Sequence, residues 1–376
     1  MTWFRMPRAA AAVIAVAVVA SGCAASPTAE PPPPTSPRPT SEPTGTATPP
    51  RSGSWTTGGA ANTLVGGLAA PWSVVPLPDG GALISERDSG IVRELTTDGS
   101  LRTAGTVPGV VSGGESGLHG LALLDGETPW LYAYHGTADD NRVVRMALTG
   151  PAGALTLGDV EVVYDGIPRA STHNGGRIAF GPDDLLYVAT GDAQNRDAAQ
   201  NVDALGGKIL RLTPEGDAAP GNPFESAVWS YGHRNVQGIA WTSDGTMWAS
   251  EFGQNTWDEL NVIEPGANYG WPVVEGVAED SRFIDPVVVW SPSESSPSGI
   301  AAVGETVFVA GLRGERLWRW DAASGTLDTV FSGQGRLRDV IEGPDESLWV
   351  LTNNTDGRGA PRPEDDLLVR LPLAAG

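Results

Sequence analysis

GPDDLLYVATGD, residues 181–192, joins a turn of Gly, Pro and Asp to a strand in which apolar and small residues alternate. Similar turns, each between two apolar strands, recur at residues 77–81, 124–126, 242–245, 303–305 and 343–346. Tight turns between such strands are typical of β-hairpins. The six turns lie about 41 to 61 residues apart, which is the length of a small sheet with its loops. The chain is therefore predicted to be all-β, a six-bladed β-propeller around a central channel.

The composition favours many short strands over helices. Gly 49 and Pro 31 in 376 residues provide tight turns. A β-sandwich is the alternative all-β fold, but it would not need so regular a repetition. The net charge of -21 gives no long-range attraction to nucleic acid or to an anionic membrane surface, so neither is an expected partner. Lys208 is the only lysine, so nearly all cations are arginines, which bind carboxylates as a fork.

The first 22 residues have the pattern of an export signal. Arg5 and Arg8 precede an apolar run at residues 9–20, which is too short to span a bilayer as a mature helix. The run leads into Ser21-Gly22-Cys23, which resembles a bacterial lipoprotein cleavage box. Cys23 is therefore predicted to become the lipidated first residue. The alternative is an ordinary secretory signal with an incidental cysteine.

The next segment is predicted to be a disordered tether. Residues 24–54 consist largely of Pro, Thr and Ser and contain too few apolar residues to form a core. The expected organisation is a lipoprotein signal peptide at 1–22, the lipidated cysteine and linker at 23–55, and the propeller at 56–376. The protein is expected on the outer side of the cytoplasmic membrane, attached only through its lipid.

Polar residues follow the repeated hairpins and are expected on one face, around the channel. His173, in the loop STHNGGR, is a candidate base because imidazole exchanges protons near neutral pH. His119 is flanked by apolar residues and is predicted to be packed in the core, whereas His233 is predicted to play a supporting role. The residues that follow the hairpins are Glu86, Arg87, His135, Gly191, Asp192, Glu251, Phe252, Gly253, Leu312, Arg313, Gly314, Asn353 and Asn354.

Two further groups indicate ligand chemistry. Arginines at loop or strand-end positions of several repeats would form an anion site if they converge on the channel. Asp258 and Glu259 follow a glycine turn at Gly253, and carbonyl and carboxylate oxygens suit a hard cation such as Ca²⁺. The arginines concerned are Arg234, Arg313, Arg336 and Arg338.

Five ordered motifs resemble the soluble quinoprotein sugar dehydrogenases, the group of soluble glucose, aldose sugar and sorbosone dehydrogenases. The resemblance covers about residues 70 to 373. It implies a six-bladed propeller that uses pyrroloquinoline quinone (PQQ) and Ca²⁺. It also implies oxidation of the C1 hydroxyl of aldose sugars to lactones by hydride transfer to PQQ, with an external electron acceptor. The motifs are HNGGRIAFGPDDLLYVATGD, LGGKILRLTPEG, YGHRNVQGIAW, GQNTWDELNVIEPGANYGWP and GRLRDVIEGPDESLWVLTNN.

The resemblance also implies roles for individual residues. His173 corresponds to the catalytic base, and Arg234 adds a catalytic role at the quinone. The carbonyls of Gly253 and Gln254 correspond to ligands of the catalytic Ca²⁺. A second, structural Ca²⁺ site is implied at Glu259 and Tyr269, with Glu279 or Asp280 as a further ligand. Cofactor binding is implied for Arg234, Asn235, Arg313, Arg336, Arg338 and Asn353.

Several positions depart from the pattern of the glucose enzyme. Glu115 stands where a glutamine contacts the sugar, and Thr172 stands where an acid lies beside the base. Both belong to the substrate side, so a broad aldose range, or a different sugar or polyol, is favoured over glucose. Arg313 stands where the family has a lysine and Asn353 where it has an aspartate, while Gln254 replaces a proline of which only the carbonyl is used.

Two alternative functions use the same fold. A Ca²⁺-dependent lactonase needs a metal at the centre of the channel, held by carboxylate and asparagine side chains, and it has no use for four arginines around an anion. A non-catalytic, surface-tethered binding module could retain the motifs by descent. The intact His173 favours an enzyme over this second alternative.

Overall fold

The computed structural model describes residues 51–376, so the predicted signal peptide, Cys23 and most of the linker lie outside the described residues. Six antiparallel sheets follow one another along the chain. They confirm the prediction of an all-β, six-bladed propeller. Among residues 51–376, no helix is long and apolar enough to cross a bilayer.

The first three blades each consist of four strands in chain order. Blade 1 is β3 to β6, blade 2 is β7 to β10 and blade 3 is β11 to β14. A 3₁₀ helix, Arg196–Gln200, lies between β12 and β13, and a second, Pro223–Glu225, precedes β14. The strands are β3 Pro71–Pro76, β4 Ala82–Glu86, β5 Ile91–Leu95, β6 Leu101–Thr106, β7 Leu118–Leu124, β8 Trp130–Gly136, β9 Asn141–Thr149, β10 Thr156–Ile167, β11 Ile178–Phe180, β12 Leu186–Ala189, β13 Lys208–Leu212 and β14 Val228–Tyr231.

The last three blades include the strand pair that closes the ring. Blade 4 is β15 to β18, blade 5 is β19 to β22, and blade 6 joins β23, β24 and β25 to the N-terminal strands β1 and β2. The strands are β15 Val236–Trp241, β16 Met247–Glu251, β17 Asp258–Val262, β18 Val288–Trp290, β19 Pro297–Val303, β20 Thr306–Gly311, β21 Arg316–Asp321, β22 Thr326–Ser332, β23 Leu337–Gly343, β24 Ser347–Thr352, β25 Leu368–Ala375, β1 Trp55–Thr57 and β2 Asn62–Val65.

Closure depends on both ends of the folded chain. β1 pairs antiparallel with β25, with Trp55 opposite Ala375. Just before β1, the Ser54 hydroxyl donates to Asp321 Oδ1 at 2.8 Å. The contacts of the propeller therefore begin slightly before residue 56, where the sequence analysis placed the start of the domain. The inner strands β3, β7, β11, β15, β19 and β23 contact one another in sequence, and β23 contacts β3, so the sheets form a closed ring.

One layer of the channel explains how the inner strands meet. Six residues occupy equivalent positions here, each directly before a paired Val, Leu or Ile of its inner strand: Ser73, Gly120, Arg177, Gly238, Gly299 and Asp339. A Cβ at Gly299 would lie 1.9 Å from Asp339 Oδ1, and one at Gly238 would lie 2.4 Å from the Ser298 carbonyl oxygen. The glycines therefore let the neighbouring inner strands approach closely at this layer.

The Arg177 guanidinium ties blades together across the channel. Its Nε donates to the Gln237 carbonyl at 2.9 Å, and its NH1 donates to Ser73 Oγ at 3.2 Å and to Asp339 Oδ2 at 2.9 Å. Both members of the ion pair are buried. Burial raises the pKa of Asp339, and the charge and hydrogen bond of Arg177 act against that rise. A buried pair of this kind strongly penalises the loss of one partner.

We expect Asp339→Asn to lower the free energy of unfolding by about 3 kcal/mol, because the Arg177 charge is left without its counter-ion in the channel. Urea denaturation measures the change. Glu161→Gln is the matched control, since Glu161 pairs with Arg145 at 2.9 Å with half of its side chain exposed. The control should cost less than about 1 kcal/mol. Equal losses in the two variants would contradict a stabilising role for the channel pair.

Candidate active site

A cavity of about 450 Å³ opens at the face where the residues that follow the hairpins collect. Its floor comes from the second residues of inner strands, Trp72 of β3, Gln237 of β15 and Arg338 of β23. Its walls come from residues at strand ends and loops. The full lining is Trp72, Arg87, Glu115, Gln237, Phe252, Ser296, Leu312, Arg313, Arg336, Arg338 and Arg358.

Positive charge dominates this cavity. Five arginines line it, and Glu115 is the one acidic side chain among the described residues that do so. Arg336 and Arg338 share the buried Asp356 at 3.2 and 3.7 Å. Arg87 pairs with Asp88 at 2.7 Å and Arg358 with Glu115 at 3.1 Å. The five guanidinium groups of the lining thus have three carboxylate partners, which leaves an excess of positive charge.

The buried arginines retain unused hydrogen-bonding capacity. The Nε atoms of Arg336 and Arg338 are buried and have no hydrogen-bond partner among residues 51–376. Burial lowers the pKa of Arg338 to about 9; Asp356 opposes this shift, and the charges of Arg336 and Arg87 reinforce it. A ligand with several carboxylates would supply both the missing acceptors and the missing counter-charge. The cavity therefore fits a polyanionic ligand.

Trp72 lines the cavity but is almost fully buried. Its ring has the Arg338 guanidinium 5.8 Å and the Arg177 guanidinium 4.5 Å from its centre. His119 stacks on Trp72, with ring centres 5.0 Å apart. Burial lowers the pKa of His119 to about 3. This packing confirms the prediction that His119 belongs to the core.

His173 lies in a small polar network beside this cavity. Its Nδ1 lies 2.8 Å from Asp192 Oδ1, and the same carboxylate accepts a hydrogen bond from the Trp271 indole at 2.9 Å. Burial acts to raise the pKa of Asp192, but the hydrogen bonds from His173, Gln194 and Trp271 outweigh it and hold that pKa below its ordinary value. An ionised Asp192 favours the proton on Nδ1, so His173 Nε2 presents a lone pair.

Arg234 faces that lone pair. Its NH2 lies 2.8 Å from His173 Nε2, and its NH1 donates to the Phe252 carbonyl at 3.1 Å. The backbone N–H of Arg234 donates to Glu251 Oε2 at 2.9 Å, and Glu251 Oε1 contacts His233 Nδ1 at 3.0 Å. His233 is fully buried and stacks on Tyr269. It therefore supports the position of Arg234, as predicted.

The part of the chain that contains the propeller blades and these site residues matches one known family. The model of the family described as Glucose / Sorbosone dehydrogenase matches residues 68–369. The chain belongs to this family. The protein is therefore an oxidoreductase that acts on sugars.

Relatives and solved structures agree with this assignment. Aldose sugar dehydrogenase YliI of Escherichia coli is 29% identical over 335 residues, covering 77% of this chain and 89% of the relative. Quinoprotein glucose dehydrogenase B of Acinetobacter calcoaceticus is 30% identical over 257 residues, covering 58% of this chain and 54% of the relative. The PQQ-bound form of aldose sugar dehydrogenase from Streptomyces coelicolor is 47% identical with a TM-score of 0.81, covering 87% of this chain and 100% of that chain.

Of the residues of this dehydrogenase predicted to bind substrate or cofactor, some line the cavity and others do not. Glu115 lines the cavity, and its Oε2 accepts the backbone N–H of His173 at 2.8 Å. Thr172 does not line it and instead accepts a hydrogen bond from Gln194 at 2.9 Å. Asn353 is buried between Arg338 and the Pro71 carbonyl. Asn235 accepts the Gly175 N–H at 2.9 Å, while its buried Nδ2 has no partner within residues 51–376.

The loop that carries Gly253 and Gln254 has a carboxylate on each side. Asp258 Oδ1 accepts the Gly253 N–H at 2.9 Å, and Glu275 Oε1 accepts the Gln254 N–H at 2.6 Å. Both loop residues are thus fixed through their N–H groups. Among residues 51–376, no group of three or more His, Cys, Asp or Glu side chains could hold a metal ion. A cation here needs backbone carbonyls as ligands, as the sequence implied for Gly253 and Gln254.

A second, very small cavity of about 10 Å³ contains Glu259 and Tyr269. The Tyr269 hydroxyl donates a hydrogen bond to the Val262 carbonyl and accepts one from the Glu264 N–H. The group of Tyr269 that is left for a cation is therefore its backbone carbonyl. Besides Glu259, the carboxylates that line this cavity are those of Glu251 and Glu275.

The further ligand predicted for the second site is not brought to this cavity. Glu279 is exposed, Asp280 pairs with Arg282 at 2.7 Å, and neither lines the cavity. The difference arises because the chain turns between Gly276 and Asp280, with Glu279 at φ 52. Sequence spacing alone could not place Glu275 there.

Asp192 and Arg87 were expected around the channel because they follow repeated hairpins, but no individual role was predicted for either. Trp72 and Arg358 were not predicted at all. Trp72 occupies the inner-strand position equivalent to Gln237 and Arg338, which a register alignment of the six repeats would have shown. Arg358 lies in a loop outside the repeat, and only the tertiary structure brings it to Glu115 across 243 residues.

Because Glu259 is buried in the small cavity, we predict that the stability of the Ca²⁺-free protein depends on pH. Burial, and then the charge of Glu251, raise the pKa of Glu259 from 4.5 to about 8. Between these values the folded state keeps a proton that the unfolded state has released, so stability falls as pH rises. We expect Glu259→Gln, which cannot ionise, to remove a fall of up to about 1.4 kcal/mol per pH unit.

Urea unfolding with a Ca²⁺ chelator present, at several pH values between about 5 and about 8, measures the difference between the two proteins. Comparing them cancels the other titrating groups, which both contain. Parallel curves for the wild type and Glu259→Gln would show that Glu259 is ionised throughout and would contradict the prediction.

Proposed function

We propose that this protein is a PQQ- and Ca²⁺-dependent aldose dehydrogenase that oxidises the C1 hydroxyl of sugars to lactones. The observation that carries the proposal is the joining of two features on one face. A cavity lined by five arginines lies against the network of His173, Asp192 and Arg234. A lactonase has no use for such a cavity.

The cavity suits PQQ because that cofactor is a flat tricarboxylate. Arg336 and Arg338, with their unpartnered Nε atoms, would hold carboxylates, and Arg313 would add a third cation. The similarity to the PQQ-bound aldose sugar dehydrogenase of Streptomyces coelicolor, at 47% identity, supports this cofactor.

Ca²⁺ would bind at the carbonyls of Gly253 and Gln254, since a hard cation prefers oxygen ligands. When bound, PQQ with its Ca²⁺ supplies a two-electron acceptor whose carbonyl carbon is made electrophilic by the metal. The protein then has three tasks: to position the sugar, to take its proton and to exclude competing chemistry.

His173 would take the proton of the sugar C1 hydroxyl at Nε2. Asp192 holds the ring through Nδ1 and would stabilise the imidazolium that results. Arg234 now occupies the lone pair of Nε2, so the sugar hydroxyl must take over that contact. The displaced guanidinium keeps its hold on the Phe252 carbonyl and remains beside the reacting atoms, where positive charge stabilises developing negative charge.

The substrate side favours a broad aldose range, or another sugar or polyol, over glucose alone. Glu115 lines the cavity and also binds the backbone of the base, so a sugar bound there would contact a carboxylate that is already linked to Arg358. The electrons would leave to an external acceptor.

Purified protein should reduce an artificial dye with aldoses only when both PQQ and Ca²⁺ are supplied. Absence of PQQ binding to the folded protein would overturn the proposal. Hydrolysis of lactones with Ca²⁺ alone would favour the lactonase instead. PQQ binding without turnover across a panel of aldoses and polyols would favour the binding module.

His173→Ala should lower kcat/KM by about 10²–10⁴-fold, because the proton then has no positioned acceptor. Asp192→Asn should lower kcat/KM within the same range, since an amide no longer selects the Nδ1–H tautomer. Steady-state kinetics measure both, and the PQQ dissociation constant should stay unchanged. Asp125→Asn, in an exposed turn, is the matched control and should leave activity unaltered. Normal kcat/KM in His173→Ala would contradict its role as base.

We further propose that Cys23 is lipidated and that the enzyme is held at the outer side of the cytoplasmic membrane. The proposal rests on the apolar run at residues 9–20 and on Cys23 being the only cysteine. Cys23→Ser should move the protein from the membrane fraction to the soluble fraction of fractionated cells. A soluble wild-type protein would contradict lipidation and favour an ordinary secretory signal.

A further inference from the structure

One carboxylate oxygen binds an entire loop. Glu275 Oε1 accepts hydrogen bonds from four consecutive backbone N–H groups at 2.6, 3.0, 3.0 and 3.2 Å. Burial acts to raise the pKa of Glu275, but these four donors outweigh it and lower that pKa. The carboxylate is therefore ionised at neutral pH. The donors are Gln254, Asn255, Thr256 and Trp257.

These hydrogen bonds fix the direction of the neighbouring carbonyls. The cis peptide bonds of the described chain are at 271–272 and 365–366, so the loop peptides are trans. In a planar trans peptide the N–H and the C=O point in opposite directions. The N–H of Gln254 shares its peptide with the Gly253 carbonyl, and the N–H of Asn255 shares its peptide with the Gln254 carbonyl. Both carbonyls must therefore point away from Glu275.

We propose that Glu275 is the positioning residue for the catalytic Ca²⁺, because it sets the direction of both carbonyl ligands. This inference rests on the proposed function, which assigns those carbonyls to Ca²⁺. A carboxylate that accepts an N–H also polarises the peptide and makes its carbonyl oxygen a better ligand. Groups that orient metal ligands in this way affect metal affinity strongly.

The preceding peptide has a different partner and a different task. Asp258 accepts the Gly253 N–H, and the Phe252 carbonyl of that same peptide accepts Arg234 NH1 at 3.1 Å. Asp258 thus orients the carbonyl that binds Arg234, whereas Glu275 orients the carbonyls proposed to bind Ca²⁺. The tight wrapping requires glycine, because a Cβ at Gly253 would lie 1.7 Å from the Trp257 carbonyl oxygen and 2.6 Å from Glu275 Oε1.

The test is a Ca²⁺ titration of the PQQ-loaded, chelator-treated protein, followed through the visible spectrum of bound PQQ. That signal reports a cation beside the cofactor and not one at Glu259. We expect half-saturation to require about tenfold more Ca²⁺ in Glu275→Gln and up to about 100-fold more in Glu275→Ala, because the amide still accepts weaker hydrogen bonds. Glu127→Gln, at an exposed turn, is the matched control and should titrate as the wild type does.

PQQ affinity without Ca²⁺ and the thermal midpoint separate the possible outcomes. Both should stay close to wild-type values in Glu275→Gln. Unchanged half-saturation in both Glu275 variants overturns the inference while the proposed function stands. Equal weakening of PQQ binding without Ca²⁺ also overturns it, since the defect is then general. A wild-type protein whose PQQ spectrum ignores Ca²⁺ overturns the proposed function together with the inference.

Discussion

The buried guanidinium of Arg177 joins several inner strands at the centre of the channel. It bonds to Gln237, Ser73 and Asp339, which belong to three inner strands other than its own. Glycines at equivalent positions let the neighbouring inner strands approach closely. Removing either member of the Arg177–Asp339 pair would leave a buried charge without compensation, so the inner strands are held to one arrangement.

The cavity stands directly on this layer. Gln237 gives its carbonyl to Arg177 and its side-chain oxygen to Arg338 at 2.8 Å, so the structural arginine and a cavity arginine share one residue. Trp72 has the guanidinium groups of both close to its ring. The geometry of the site is therefore set by the channel before any ligand binds, which reduces the free-energy cost of ordering the site on binding.

The protein is acidic as a whole but contains a strongly basic cavity, because arginines are concentrated there. The chain has a net charge of -21, yet five arginines converge on one cavity. Each buried arginine is held by a neighbouring acid or amide, such as Asp356 or Asn353, and an excess of positive charge remains. At the adjacent loop the roles are reversed, because Asp258 and Glu275 bind N–H groups and turn carbonyls toward other partners. The same chain thus offers cations to one ligand and oxygens to another.

Local signals in the sequence were enough to predict the repeat, and with it the fold. Turns flanked by alternating strands are local signals, so six of them were readable without tertiary knowledge, as were His173 and the arginines at repeat ends. Which acids these groups meet could be seen only in the folded chain. The partner of His173 is Asp192 from the loop after β12, the carboxylate at Gly253 and Gln254 is Glu275, and Arg358 reaches Glu115 from a loop outside the repeat. The Arg358–Glu115 contact joins segments 243 residues apart, so it forms only when the ring closes. The other two contacts lie within single blades, and their distances of about 3 Å depend on the path of the loops, which sequence spacing does not encode.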